Sequence, residues 1–226
     1  MNTPPVLRAS DAPRGAPSAT RLQNPLEAER AFWSRGFQRV AGVDEVGRGP
    51  LAGPVVAVAV ILPTDVCIAG ADDSKRLSPS HRVELAAEIV ATALTVGIGA
   101  ASSREIDTLN IRVATALAMQ RAVARLRVRP DHLLVDGLPV PELGRDFHTG
   151  IVGGDRTVHS ISCASIVAKV TRDRLMDRLA VKHPGFGWER NKGYGTPEHL
   201  AGLRARGPTR HHRFSFRPVG DLAHRC

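Results

Sequence analysis

Missing from this sequence is any apolar run of the eighteen or so residues that a membrane-spanning helix needs. The polar opening MNTPPVLRASDAPRGAPSAT also lacks the apolar core of a signal peptide. The chain is therefore expected to stay in the cytosol, off the membrane. Cysteine is nearly absent: Cys67, Cys163 and Cys226 are odd in number and far apart, which suits neither a disulfide framework nor a zinc site. They read as reduced thiols, with Cys163 a small core residue. Aromatic residues are few, nine in all with Tyr194 the one tyrosine, and no internal repeat is visible. No Cys or Ser constellation of the kind used for nucleophilic catalysis stands out, so the chemistry has to be sought among the acids.

What is present is an ordinary globular balance of 42% hydrophobic and 23% charged residues in 226 residues. That length buries a full core and leaves room for one main domain with an appendage. Lys and Arg exceed Asp and Glu by 31 to 22, a net charge of +9. Residues 169–226 hold 13 basic and 5 acidic residues, so this last quarter carries +8 of the +9. Such a region favours a polyanionic partner, because each neutralised phosphate releases counterions. On charge alone, a solvated basic surface explains it equally well.

Residues 1–23 mix Pro, Ala, Ser, Thr and Arg without apolar periodicity and are expected to form a disordered arm. A helix capped by Asn24 with Pro25 at its first position follows, ending at Gly36. RVAGVDE reads as a strand, and AGPVVAVAVILP as a second strand buried on both faces. A loop, a helix begun at Ser78-Pro79 and a third strand come next. Residues 103–127 read as one long amphipathic helix, stopped by Arg129-Pro130. DHLLVDG is a strand ending in an acid, a further strand lies around FHTGIVGGD, and residues 160–183 form a long helix. After Pro184 come turns, a short helix over 197–206 and a basic tail. The expected fold is α/β, a mixed sheet flanked by helices, with 24–183 as the main domain and 184–226 as a small basic subdomain.

Asp44 and Glu45 close an apolar strand and are followed at once by Gly47-Arg48-Gly49. Acids beside such a core are costly unless cations pair with them, and hard divalent cations prefer oxygen ligands. Neighbouring strand residues point to opposite faces. Asp44 and Glu45 therefore serve one site only if the strand bends there or one of them uses its carbonyl. The two glycines allow bare backbone near a ligand, and Arg48 can pair with a phosphate or a carboxylate. An exposed acidic turn explains this stretch alone just as well. Asp136 strengthens the case by closing LLVDG, and Asp155, in GGD, is a third candidate from the same edge. Such a set reads as Mg²⁺ or Mn²⁺ chemistry on phosphate esters.

The run AGVDEVGRGPLAGPVVAVAVILP, followed in order by DDSKRLS, EIDTLNI, LLVDG, ASIVAKVTRDR, NKGYGTPEH and HHRFSF, resembles the bacterial ribonuclease HII family over residues 40–219. The resemblance implies a ribonuclease H-like fold and a metal-dependent endonuclease that cuts the RNA strand of RNA/DNA hybrids. It further implies cutting 5′ of single ribonucleotides embedded in duplex DNA, leaving a 3′-hydroxyl and a 5′-phosphate. It assigns four catalytic, Mn²⁺- or Mg²⁺-binding carboxylates to Asp44, Glu45, Asp136 and Asp155, with Asp44 and Asp136 central. Asp173, flanked by Arg172 and Arg174, competes for the last place and is set second. By the same resemblance, Gly47, Arg48 and Gly49 sense the 2′-hydroxyl mostly through backbone, and Tyr194 stacks on the next deoxyribose. Ser74, Lys75, Asn110, Ser165, Lys169 and Lys192 are candidate phosphate or sugar contacts. The partners implied are an RNA/DNA hybrid or a ribonucleotide-containing duplex, met by a monomer.

Three positions depart from the family pattern. Asn191 stands where His is commoner, Gly153 where Lys is commoner, and Cys163 where Ala is commoner. The first is expected to remove a ring from the substrate side, and the second a positive charge near a phosphate. A nuclease of the same fold with another substrate, or a basic binding module without catalysis, remains the alternative. The binding module leaves the acids at successive strand ends unexplained.

Overall fold

The structure is a computed structural model that describes residues 25–71 and 77–223. The expected arm at 1–23, the cap at Asn24, and the candidate contacts Ser74 and Lys75 lie outside those residues.

Strand β1 (Val40–Val46) is the centre of the molecule. On one side it pairs antiparallel with β2 (Val55–Ile61), which pairs antiparallel with the edge strand β3 (Thr95–Ala101). On the other side it runs parallel to β4 (His132–Asp136), which runs parallel to β5 (His148–Ile151). The sheet order is therefore β3-β2-β1-β4-β5, a mixed sheet as expected. Every residue of β2 is buried, because both faces of the sheet are covered. Val55, Ala57, Ala59 and Ile61 meet Ala114, Ala118, Met119 and Ala122 of helix α4 (Ile111–Ala124). Val58 and Val60 meet α2 (Pro79–Thr92) and α6 (His159–Lys182) on the opposite face. The unbroken apolar run is the sequence mark of such two-sided burial.

Two expected helices differ from the structure. The first, α1, spans Glu27–Trp33 and begins after a turn containing Pro25, so the proline precedes the helix. The long helix over 103–127 is two helices, α3 (Ser103–Leu109) and α4, separated at Asn110. Asn110 has φ +68, outside helical space, and its Oδ1 accepts from the N–H groups of Arg112 and Val113 at 3.0 and 3.1 Å. A residue that caps the helix ahead of it ends the one behind it.

A Pro-led 3₁₀ turn (Pro141–Leu143) links β4 to β5, and the short α5 (Gly154–Thr157) leads into α6. Beyond α6 come α7 (Trp188–Asn191), α8 (Pro197–Arg206) and α9 (Val219–Ala223); α7 and α9 are too short for a periodic signal. This C-terminal part shares a core with the rest of the chain. Phe186, Trp188, Leu203 and Val219 pack with Met176 of α6 and with Leu51 and Ala52 from the loop after β1. Asp107 of α3 ties it down further, accepting from the N–H groups of Phe214 and Ser215 at 3.0 and 2.9 Å.

Gly42 lets α6 approach the sheet so closely that a Cβ there would lie 2.1 Å from the main-chain carbon of Ser160. Gly42→Ala should cost about 1–3 kcal/mol, the usual result of overpacking a rigid contact. It should also lower activity, because α6 carries Ser165 against the acids. An unchanged midpoint in urea unfolding would contradict this close fit.

Candidate active site

The parallel pairing of β1 with β4 sets Val43 opposite Val135, so the next residues, Asp44 and Asp136, stand at neighbouring strand ends. Such carboxyl ends of parallel strands are where α/β sheets place ligands. β1 stays in regular register with β2 through Val46, so the bend considered at Asp44-Glu45 is absent and the two acids leave on opposite faces. The turn comes later, at Gly47 with φ +93. Asp136 nonetheless acts on both, raising the pKa of each by charge repulsion. The rim of one strand end thus gathers all three.

Asp44 is 5% exposed. Burial first, then the charges of Glu45 and Asp136, hold its carboxyl well above the usual range. The Ser165 hydroxyl and the Glu45 N–H, at 2.7 Å from Oδ1, oppose that shift as donors. Glu45 is also raised, chiefly by burial, with Arg48 pulling it down through a hydrogen bond to Oε1 at 3.2 Å. Its Oε2 is buried without a hydrogen-bond partner. Asp155 follows Gly153, whose φ of +71 opens α5, and its N–H donates to Asp136 Oδ1 at 3.2 Å. Four carboxylates therefore share one edge. Asp173 is elsewhere on α6, taken by Lys169 Nζ at 2.8 Å.

A hard divalent cation fits these residues. The donors are oxygens, two acids are raised by burial and then by neighbouring carboxylates, and one buried oxygen has no partner. Among the described residues no three acidic, His or Cys groups converge on one ion position. Mg²⁺-like ions characteristically use one or two carboxylates and complete their shell with water and substrate phosphate.

The other expected contacts fall into two groups. Tyr194, 47% exposed, places its ring edge 3.6 Å from where a Cβ on Gly49 would stand, so ring and glycine loop line one cleft. Ser165, Asn110, Lys169 and Lys192 have partners within the protein. Ser165 serves Asp44, Asn110 caps α4, Lys169 holds Asp173, and Lys192 Nζ bonds Asp177 and the Glu189 carbonyl. Asn191 does not face the substrate side. It is buried, donating to the Phe186 carbonyl at 2.7 Å and accepting from the Gly193 N–H at 2.8 Å. Cys163 is fully buried in the core, as expected, and Cys67 is exposed.

The Ribonuclease HII family model matches residues 41–219. The chain belongs to the ribonuclease HII family. A ribonuclease HII of Synechococcus sp. (strain JA-3-3Ab) is 52% identical over 204 residues, 89% of this chain and 91% of that one. The ribonuclease HII of Thermosynechococcus vestitus is 54% identical over 190 residues, covering 83% and 88%. The crystal structure of the ribonuclease H2 from Pyrococcus horikoshii OT3 superposes with a TM-score of 0.72 at 26% identity, over 83% of this chain and 98% of that one.

For a ribonuclease HII sequence, the motif reading missed what lies under Tyr194. Trp188 Nε1 donates to His199 Nε2 at 3.0 Å, and His199 Nδ1 donates to the Tyr194 carbonyl at 2.9 Å. His212 Nδ1 accepts from the Thr209 N–H at 2.8 Å, which leaves its Nε2 proton for His199 at 3.0 Å. The Tyr194 carbonyl fixes the proton of His199 on Nδ1 and the Thr209 N–H fixes Nδ1 of His212 as an acceptor, so both rings are neutral. Trp188 Nε1 and His212 Nε2 share the one lone pair of His199 Nε2. Burial accordingly lowers both histidines, His212 to about 3. The unfolded chain takes up protons near the ordinary value of 6.5 and the folded one does not, so this stability is complete above 6.5 and is lost as pH falls toward 3. Melting temperature should drop on acidification below 6.5, and in a Trp33→Phe background the fluorescence of Trp188 should report loosening around Tyr194. A flat melting temperature and emission from pH 7.5 to 4.5 would rule the network out.

Proposed function

We propose that this cleft is the active site of a divalent-metal-dependent endonuclease that cuts the RNA strand of RNA/DNA hybrids. The cuts include the 5′ side of single ribonucleotides in duplex DNA and leave 3′-hydroxyl and 5′-phosphate ends. The observation that carries it is the gathering of Asp44, Glu45, Asp136 and Asp155 at one sheet edge, beside the loop Gly47-Arg48-Gly49 and Tyr194. Absence of a cut in a duplex with one ribonucleotide, given Mg²⁺ or Mn²⁺, would refute it.

These four carboxylates would hold the cations. Bound there, Mn²⁺ or Mg²⁺ would lower the pKa of an attacking water and neutralise charge developing on the scissile phosphate. The chain's own residues do the rest. The Ser165 hydroxyl hydrogen-bonds Asp44 and opposes the upward shift that burial imposes on its carboxyl. The Asp155 N–H fixes one oxygen of Asp136. Main-chain groups of Gly47, Arg48 and Gly49 meet the 2′-hydroxyl, the group that separates RNA from DNA. The Tyr194 ring packs on the neighbouring sugar. Residues 184–226 act as the substrate-binding subdomain, and their basic side chains carry affinity for the backbone that weakens with salt. The enzyme acts as a cytoplasmic monomer; its cysteines form no disulfide among the described residues.

Asp44→Asn or Asp136→Asn should abolish cleavage while hybrid binding survives, because the basic surface is untouched. Asp44→Asn should also leave the metal-free protein at least as heat-stable, since it removes a buried charge repelled by two others. Asp173→Asn should keep activity. Loss of hybrid affinity in step with activity in the Asp44 or Asp136 variants would contradict a metal-ligand role.

Removing a stacked ring costs on the order of 1 to 3 kcal/mol, so Tyr194→Ala should slow single-turnover cleavage of a one-ribonucleotide duplex tens-fold or more. Tyr194→Phe keeps the ring and should come close to wild type. Equal rates for Tyr194→Ala and wild type would remove Tyr194 from the site.

A further inference from the structure

The loop that follows the two acids is held from below by arginine. Arg213 is fully buried and donates Nη2 to the Gly47 carbonyl at 2.5 Å and Nη1 to the Arg48 carbonyl at 2.7 Å. Its Nε and Nη2 also reach the Gly53 carbonyl, at 3.1 and 2.9 Å. Arg172, 1% exposed, donates to the carbonyls of Pro54, Ala52 and Lys192 at 3.0, 3.1 and 2.9 Å. Each of these bonds ends on a main-chain carbonyl. Burial lowers both guanidinium groups, to about 9 for Arg213 and about 10 for Arg172, and both stay charged at neutral pH.

The consequence follows from peptide planarity. In a trans peptide the C=O and N–H of one unit point in opposite directions. With the carbonyls of Gly47 and Arg48 drawn inward to Arg213, the N–H groups of Arg48 and Gly49 face the other way. Arg48 and Gly49 are exposed, whereas Gly47 and Pro50 on either side are buried. Two successive N–H groups therefore open onto the cleft beside the Tyr194 ring. Consecutive donors of this kind form a concave site for an electron-rich oxygen, and a cation on the carbonyl side polarises both peptides toward stronger donation.

We propose that Arg213 is a positioning residue for ribonucleotide recognition. It aims the Arg48 and Gly49 N–H groups at a ribose or phosphate oxygen, while Arg172 locks this loop to the segment carrying Tyr194. The proposal rests on the reading of the cleft as one that cuts at ribonucleotides. A lysine cannot replace the arginine, because a single ammonium does not span three carbonyls in a planar fork.

The test compares wild type with Arg213→Lys on a duplex bearing one ribonucleotide. Metal-free duplex affinity is measured alongside single-turnover cleavage with Mg²⁺. Arg213→Lys should bind an all-DNA duplex as wild type does, but bind and cleave the one-ribonucleotide duplex about tenfold less well, as expected when an oriented hydrogen bond is lost. Cleavage at the wild-type rate, or an equal loss of affinity for the ribonucleotide and the all-DNA duplex, overturns the proposal. If Arg213→Lys does not fold, amide resonances of the full wild-type chain decide. The Arg48 and Gly49 N–H protons should move downfield with the metal-free ribonucleotide duplex and much less with its all-DNA counterpart; equal or absent shifts overturn it. Should wild type fail to cut the duplex, the reading of the cleft falls. The same shifts, taken with a long RNA/DNA hybrid, still judge Arg213.

Discussion

The parallel contact between β1 and β4 is the constraint from which the rest of the molecule follows. It sets two strand ends side by side, and each ends in an acid, so Asp44 and Asp136 repel across the gap with Glu45 adding to them. Neither acid can swing away. β1 is pinned on its other side to β2, which is buried along its whole length, and α6 lies against β1 at van der Waals distance through Gly42. The sheet's apolar core thus holds the carboxylates in an arrangement that they would leave if they were on a loop. Stability spent on that repulsion is a common feature of sites built for function.

A second charge sits on the other side of the same loop. Arg172 and Arg213 are buried cations bonded to the loop that follows Asp44 and Glu45, and direct pairs with acids would be the simplest way to reduce the desolvation penalty. The loop over 47–54 prevents it by offering its carbonyls to the guanidinium groups. The two guanidinium groups bond carbonyls instead of carboxylates, and lend their charge to the backbone. Glu45 itself meets an arginine by hydrogen bond, the exposed Arg48. Those two can part without disturbing the core.

Much of this was readable from the sequence, for physical reasons that differ by element. β2 was plain because two-sided burial demands an unbroken apolar run, and Asp44 and Asp136 stood out because acids at the ends of such runs need compensation. The break at Asn110 was hidden by apolar residues that keep helical spacing across it; an Asn just ahead of an apolar run is a capping signal that could have revealed it. Arg172 and Arg213 were invisible as buried groups, since arginine is almost never fully buried without a partner, and their partners are carbonyls, which every residue has. Ser165 was read as facing substrate because it lies in a matching motif, and only the approach of α6 to β1 turns it toward Asp44. Asn191 shows the reverse. Its place beside Lys192 and Tyr194 suggested an outward side chain, but the αL backbone of Lys192 and the Gly193 turn fold it inward.

The histidines beneath Tyr194 complete a common logic. Trp188, His199 and His212 form a chain of donors and acceptors with no spare proton, so it holds the Tyr194 carbonyl in one place only while both rings are neutral. The loop over 47–54 and the segment at Tyr194 are then fixed from below by different means, a charged fork under one and a neutral relay under the other. Arg172 reaches both, through Pro54 and Ala52 on one side and Lys192 on the other. Because the two segments share that residue, a shift in either is transmitted to the other. The distance between the Gly49 backbone and the Tyr194 ring is therefore set by the protein interior before any nucleic acid enters. On the proposed reading of the cleft, a site preorganised in this way measures the step from a ribose to the sugar beside it by fit, with little reorganisation left for the moment of binding.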